Sequence, residues 1–91
     1  MPDPPLHDDD ARRRRLLFRA THRGTHEADL LIGGFVRARL ATFSLTEIGA
    51  LEAVMELPDT DLVNWLTGRQ AIPPDAATPM LLMMRAAAGR G

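Results

Sequence analysis

The chain has 91 residues, a mass of 10.0 kDa and no cysteine. A chain this short buries only about 60–65% of its unfolded surface, which excludes a two-domain enzyme and leaves little room for an enclosed cofactor site; the lack of cysteine excludes a disulfide scaffold, a thiol nucleophile and a cysteine-based zinc site. The net charge of −1 hides an asymmetry: residues 1–11 carry four acids and no base, residues 12–39 carry eight arginines against Glu27 and Asp29, and residues 40–91 carry three arginines against six acids.

Turn signals divide the chain into five segments with helical periodicity. The first is expected from about Asp10 to His22, with Leu16, Leu17 and Ala20 inward and Gly24 just past its end. Asp8–Arg12, Asp9–Arg13 and Asp10–Arg14 have i,i+4 spacing. Each such pair is worth about 0.2–0.5 kcal/mol if the helix reaches that far back.

The second segment runs from about Thr25, a candidate N-cap, to Thr42. Ala28, Leu31, Ile32 and Phe35 form one apolar stripe. Glu27 and Asp29 fall in the first turn, where the helix dipole favours anions. Gly33 and Gly34 each cost roughly 1 kcal/mol relative to alanine in a helix interior. The pair predicts a close helix crossing or a kink.

Ser44-Leu45-Thr46-Glu47 fits a capping box and opens the third segment. Leu45, Ile48, Leu51 and Met55 form its apolar face, and Pro58 ends it. The fourth is expected to be capped by Asp59, to bury Leu62, Trp65 and Leu66, and to stop at Gly68. A loop through Pro73-Pro74 follows. Thr78-Pro79, a cap residue with proline at the first helical position, opens the fifth, which carries Met80, Met83, Met84 and Ala87. No segment alternates apolar and polar residues. The pattern predicts an all-α, compact five-helix bundle. Its core includes Leu17, Leu31, Phe35, Ile48, Leu51, Leu62, Trp65 and Leu66. Residues 1–9 are expected to be a flexible acidic tail, 10–88 a single helical domain and 89–91 a flexible end.

No apolar run approaches the ~20 residues of a membrane span, and the acidic start does not resemble a signal or transit peptide. A bacterial cytoplasmic chain, monomeric when free, is expected. His22 and His26 are four apart but straddle Gly24, so no metal site is expected. Ser44 is accounted for as a cap, Gly33-Gly34 lacks phosphate-loop spacing, and no catalytic or cofactor-binding residue stands out. Arg12 to Arg15 suits either phosphate contacts, which makes a small helical nucleic-acid-binding regulator the alternative function, or a solvated face balanced by Asp8 to Asp10.

Arg23-Gly24-Thr25-His26-Glu27-x-Asp29 sits at the junction of the first two helices. It reads either as a C-cap glycine among ordinary caps and salt bridges, or as an exposed elbow shaped for a partner. This elbow follows an Arg-rich helix and leads into Leu30-Leu31-Ile32. Here the sequence resembles the RGxxE signature of the succinate dehydrogenase flavinylation factors, the SdhE or succinate dehydrogenase assembly factor 2 family. Pro58-Asp59-x-Asp61-Leu62-x-Asn64-Trp65-Leu66-x-Gly68 resembles the acidic turn and Trp-bearing fourth helix of that family. The likeness covers about residues 10–88.

The resemblance implies an accessory factor, not an enzyme. Such a factor binds the flavoprotein subunit of succinate dehydrogenase, and in some cases of fumarate reductase, and promotes covalent attachment of FAD to a client histidine. FAD is attached to the client, and this chain itself holds no cofactor; no nucleic acid and no membrane insertion are expected. The resemblance places client binding at Arg23, Gly24, Glu27 and Asp29, with Arg19 and His26 beside them. Arg23 would donate to a client carboxylate or carbonyl, or else bridge to Glu27. Gly24 would permit positive φ at the helix end and allow close approach of the client backbone. Glu27 would accept hydrogen bonds from the client or orient Arg23, and Asp29 would support the second helix.

Overall fold

The computed structural model describes residues 8–89. Residues 1–7 of the expected 1–9 tail, His7 among them, and the last two residues lie outside the described residues, as do the side chains of Asp8 and Asp9 and hence their expected pairs with Arg12 and Arg13; the backbone of Asp8 and Asp9 opens the first helix. Among the described residues there are five main helices and no strand. Helix α1 is Asp8–Thr21, starting two residues before the predicted Asp10. Helix α2 covers residues 26–39, α3 is Leu45–Met55, α4 is Asp59–Thr67 and α5 is Pro79–Ala88. No described helix is long and apolar enough to cross a membrane.

Local chemistry accounts for most of the helix ends. Thr25 accepts from the Ala28 amide at 3.1 Å and caps α2. Ser44 and Glu47 form the reciprocal capping box of α3, with bonds of 3.1 and 2.8 Å. Thr78 caps α5, with Pro79 in its first turn. Gly68 ends α4 in the left-handed region at φ 82°, where a side chain is disfavoured.

Helix α2 is not uniform. It is α-helical over His26–Ala28, π-helical over Asp29–Gly33 and α-helical again over Gly34–Arg39, followed by a 3-10 turn at Leu40–Thr42. Of the expected close crossing or kink, the structure shows a close crossing, and it lies at Gly33. Gly33 (φ −62°, ψ −40°) has ordinary right-handed geometry, so conformational freedom is not what it supplies. It supplies space: a Cβ there would stand 3.1 Å from the Ala20 carbonyl oxygen and 3.1 Å from Thr21 Cγ2.

The core draws on all five helices. Leu16, Ile32, Ile48, Leu51, Leu62, Leu66, Leu81, Met84 and Val36 are its largest fully buried side chains. Phe35, Ile48, Leu51, Leu62, Trp65 and Leu66 are buried as expected. Leu17 and Leu31 are half-buried against the core, and Leu16 and Ile32, also expected to face inward, are fully buried. Successive helical residues point about 100° apart, enough to separate a fully buried position from a half-buried one. Met80 and Met84 are core, with Met83 packed beside them. Leu45 corrects an expectation: it is 54% exposed. A helical side chain covers the turn N-terminal to its own Cα, and for this first-turn residue that turn lies beyond the helix.

The arginine-rich face of α1 fastens the bundle. Arg12 forks onto Glu52 of α3, with Nε–Oε2 2.9 Å and Nη2–Oε1 2.7 Å. Arg13 donates to the backbone carbonyls of Leu40 and Phe43, tying α1 to the end of α2. Arg14 and Arg15 are exposed.

Candidate functional site

Between α1 and α2 the chain turns through residues 22–25. Arg23 and Gly24 lie at this elbow, where four helix ends meet. Arg23 does not bridge to Glu27. Its guanidinium turns inward and only 12% of the side chain is exposed. Arg23 Nε donates to Asp59 Oδ1 at 2.7 Å, and Arg23 Nη2 donates to the same oxygen. The guanidinium also reaches the carbonyls of Arg19 and Met55, each at 3.4 Å, and Met55 Sδ at 3.8 Å. Those carbonyls belong to the last turns of α1 and α3, whose dipoles favour a cation there.

Asp59 is the first residue of α4. The helix has Pro58 at its N-cap with no side-chain cap bond, so the expected capping role of Asp59 is corrected. Its carboxylate is used outward from α4: Oδ1 takes Arg23 and Oδ2 takes the Gly24 amide at 2.8 Å. Burial raises the Asp59 pKa; the Gly24 N–H, the Arg23 hydrogen bonds and the Arg23 charge outweigh that and leave it below the ordinary aspartate value. The anion also sits where the α4 dipole favours it.

Gly24 is exposed and its φ is not positive; among the described residues only Gly68 has positive φ. The expected left-handed role is therefore overturned. The Gly24 amide goes to Asp59, so no left-handed cap is made. A Cβ on Gly24 would stand 3.4 Å from Asp59 Oδ2, ordinary contact with no backbone strain.

Asp29 faces inward and accepts from the Arg23 amide through Oδ1, while its own amide bonds to the Thr25 carbonyl at 3.0 Å. It supports the elbow from the α2 side. Glu27 faces solvent and pairs with Arg69, just after α4, at 3.1 Å between Nη2 and Oε2. Thr25, Glu27, Asp59, Val63, Asn64 and Arg69 border a shallow hollow of about 240 Å³ next to the elbow. Arg19 pairs with Glu56. His26 is exposed. His22 stacks on Phe18 with centroids 3.8 Å apart, and among the described residues no group of three acids or histidines could hold a metal.

The structure thus brings Arg23, Gly24 and Asp29 into one hydrogen-bonded unit, with Glu27 presented one turn further along α2. The sequence reading missed Asp59, Met55 and Arg69 as partners of this unit. All three lie more than 30 residues away, and Asp59 stood in the acidic turn as a plausible local cap. Trp65 is buried, at 8% exposure, and walls an apolar groove of about 550 Å³ with Ala53, Val54, Leu57 and Pro73.

The fold and this buttressed elbow define a small all-helical protein with an exposed polar turn between its first two helices. Residues 14–88 match the family model described as Sdh5, flavinator of succinate dehydrogenase. The chain is 54% identical over 74 residues to the FAD assembly factor SdhE of Acetobacter pasteurianus, an alignment that covers 81% of this chain and 68% of that protein. It is 31% identical over 86 residues to the mitochondrial succinate dehydrogenase assembly factor 2-B of Drosophila persimilis, covering 92% of this chain and 53% of that one. With the mitochondrial succinate dehydrogenase assembly factor 2 of Dictyostelium discoideum the identity is 26% over 73 residues, covering 80% and 52%. The chain belongs to the family of succinate dehydrogenase flavinators, which are assembly factors and not enzymes. It spans about half the length of these two mitochondrial relatives.

Proposed function

We propose that this chain binds the flavoprotein subunit of succinate dehydrogenase, and that of fumarate reductase where one is present, in a bacterial cytoplasm, and promotes covalent attachment of FAD to a histidine of that client. The observation that carries this reading is the elbow: an exposed glycine without a Cβ, its amide bonded to Asp59, with the exposed Glu27 carboxylate, paired with Arg69, one turn away. A bare, ordered backbone lets a partner approach closely, and an exposed carboxylate gives that approach a hydrogen-bonding direction. Arg23 and Asp29 belong to this surface as its inner struts, and Arg19 and His26 border it.

The factor would act by positioning. Fixing a client in a reactive arrangement lowers a barrier without the factor supplying a nucleophile or a cofactor pocket, and such orientation can be worth several kcal/mol. The test incubates client flavoprotein, FAD and factor, denatures the mixture and scores covalent flavin fluorescence. Gly24→Arg and Glu27→Gln factors are expected to fold and to support little flavinylation. Full flavinylation by both would remove the elbow from the interface. The alternative, nucleic-acid binding through Arg12 to Arg15, is disfavoured because Arg12 and Arg13 are committed to Glu52 and to backbone carbonyls.

A further inference from the structure

The elbow contains two kinds of group. Gly24 and Glu27 face solvent. Arg23, with 12% of its side chain exposed, has its guanidinium on Asp59 and on carbonyls that end two helices. A guanidinium used this way has little surface left for a client. Asp59 in turn spends both oxygens on the elbow, one on the Arg23 fork and one on the Gly24 amide. It joins the start of α4 to the elbow through two adjacent residues, one by side chain and one by backbone.

We propose that Asp59 is a positioning residue for client recognition: by holding the Arg23 guanidinium on one carboxylate oxygen and the Gly24 amide on the other, it fixes the shape of the surface the client meets, and Arg23 acts through Asp59 and not on the client. The inference rests on the proposed reading that the elbow is the docking surface. It divides the RGxxE residues by role: Arg23 is a strut, while Gly24 and Glu27 are the contacts. Two anchors on consecutive residues leave the Gly24 peptide little freedom to rotate. A fixed contact of this kind does not have to be ordered at the moment of binding.

The natural test is Asp59→Asn, which keeps the shape and one carbonyl acceptor but loses the charge and the second acceptor. Three readouts are taken at a temperature where each variant is fully folded: thermal midpoint, hydrogen exchange of the Gly24 amide, and affinity for the purified flavoprotein subunit of succinate dehydrogenase. The expected result is faster exchange at Gly24 and affinity weaker by about tenfold or more. Combining Asp59→Asn with Arg23→Ala is expected to cost little beyond either alone, because the two act as one unit. A purely structural role would lower the midpoint and leave the affinity of the folded protein unchanged.

If Asp59→Asn does not fold, Arg23→Lys takes its place, since lysine keeps the charge but gives a point donor in place of the fork. Native affinity despite faster Gly24 exchange overturns the proposal, and so do fully additive losses at Arg23 and Asp59. Glu27→Gln is measured alongside. If Glu27→Gln binds weakly while Asp59→Asn binds normally, the positioning role fails and the docking reading stands. If Glu27→Gln and Gly24→Arg both bind normally, the docking reading fails and takes the positioning role with it.

Discussion

Gly33 of α2 packs against the Ala20 carbonyl of α1 so closely that a Cβ on it would lie 3.1 Å from that oxygen. Its neighbour Gly34 has open space at the same position, with nothing within 4 Å. Two adjacent glycines with the same backbone geometry therefore do different work. Gly33→Ala is expected to destabilise the fold by about 1–3 kcal/mol, the cost of overpacking against backbone that cannot swing away. Gly34→Ala is expected to stabilise it by about 0.5–1 kcal/mol, because alanine loses less conformational entropy in a helix. Urea unfolding of the two variants checks both signs.

At Gly24 stability and function are expected to separate. With φ outside the positive region and only a 3.4 Å contact awaiting a Cβ, Gly24→Ala should change stability by less than about 1 kcal/mol. On the proposed docking reading its affinity for the client flavoprotein should fall all the same, because the methyl group would stand where the partner backbone is proposed to approach. Thermal unfolding beside a binding titration measures this, and a stability loss well above that figure with unchanged affinity would contradict it.

Acid should weaken the bundle through two carboxylates. The Arg12 hydrogen bond, opposed by burial and assisted by the Arg12 charge, holds Glu52 below the ordinary glutamate value. Asp59 is likewise lowered, despite burial, by Gly24 and Arg23. A native pKa below the unfolded one gives stability that is complete above the unfolded value and is lost as pH falls through the native value. Stability is therefore expected to hold from neutral pH down to about 5 and to decline below it. Denaturation midpoints for the native chain, Glu52→Gln and Asp59→Asn should show each variant less stable at pH 7 and less sensitive to acid.

The four arginines of α1 should not behave alike. Arg12→Ala and Arg13→Ala remove ties between helices and are expected to lower the thermal midpoint. Arg14→Ala and Arg15→Ala change exposed positions and should leave it nearly unchanged. Binding to duplex DNA, if detected, should be weak and should vanish with moderate salt; tight binding that depends on Arg14 and Arg15 would revive the nucleic-acid reading.

Features set within four residues of each other were readable from the chain. The Ser44–Glu47 box, the Thr25 and Thr78 caps and the Gly68 stop each involve groups that the helix geometry itself brings together. Phase within a helix was less legible. Leu16 and Leu17 were both placed inward, as were Leu31 and Ile32, since adjacent apolar residues satisfy the same periodicity and only the neighbouring helix decides which is buried fully. At the elbow, sequence named the outward groups and missed what holds them. An aspartate beside a helix start is usually a cap, and nothing in local spacing tells that Asp59 turns to residues 35 and 36 positions earlier. The same long-range acceptor explains why Gly24, which reads as a left-handed helix stop, has no left-handed backbone.

The Asp59 tie also has a consequence in time. A nascent chain emerges from its N-terminus, so the Arg23-Gly24 pair is synthesised about 35 residues before the carboxylate that binds it. Until α4 has been made and docked, an incomplete product carries the whole RGxxE motif but lacks the Asp59 acceptor that ties it. If the elbow is the docking surface proposed above, recognition is tied to completion of folding: a ribosome-bound or truncated fragment ending before Pro58 is expected to compete poorly for the client, however much of the motif it displays.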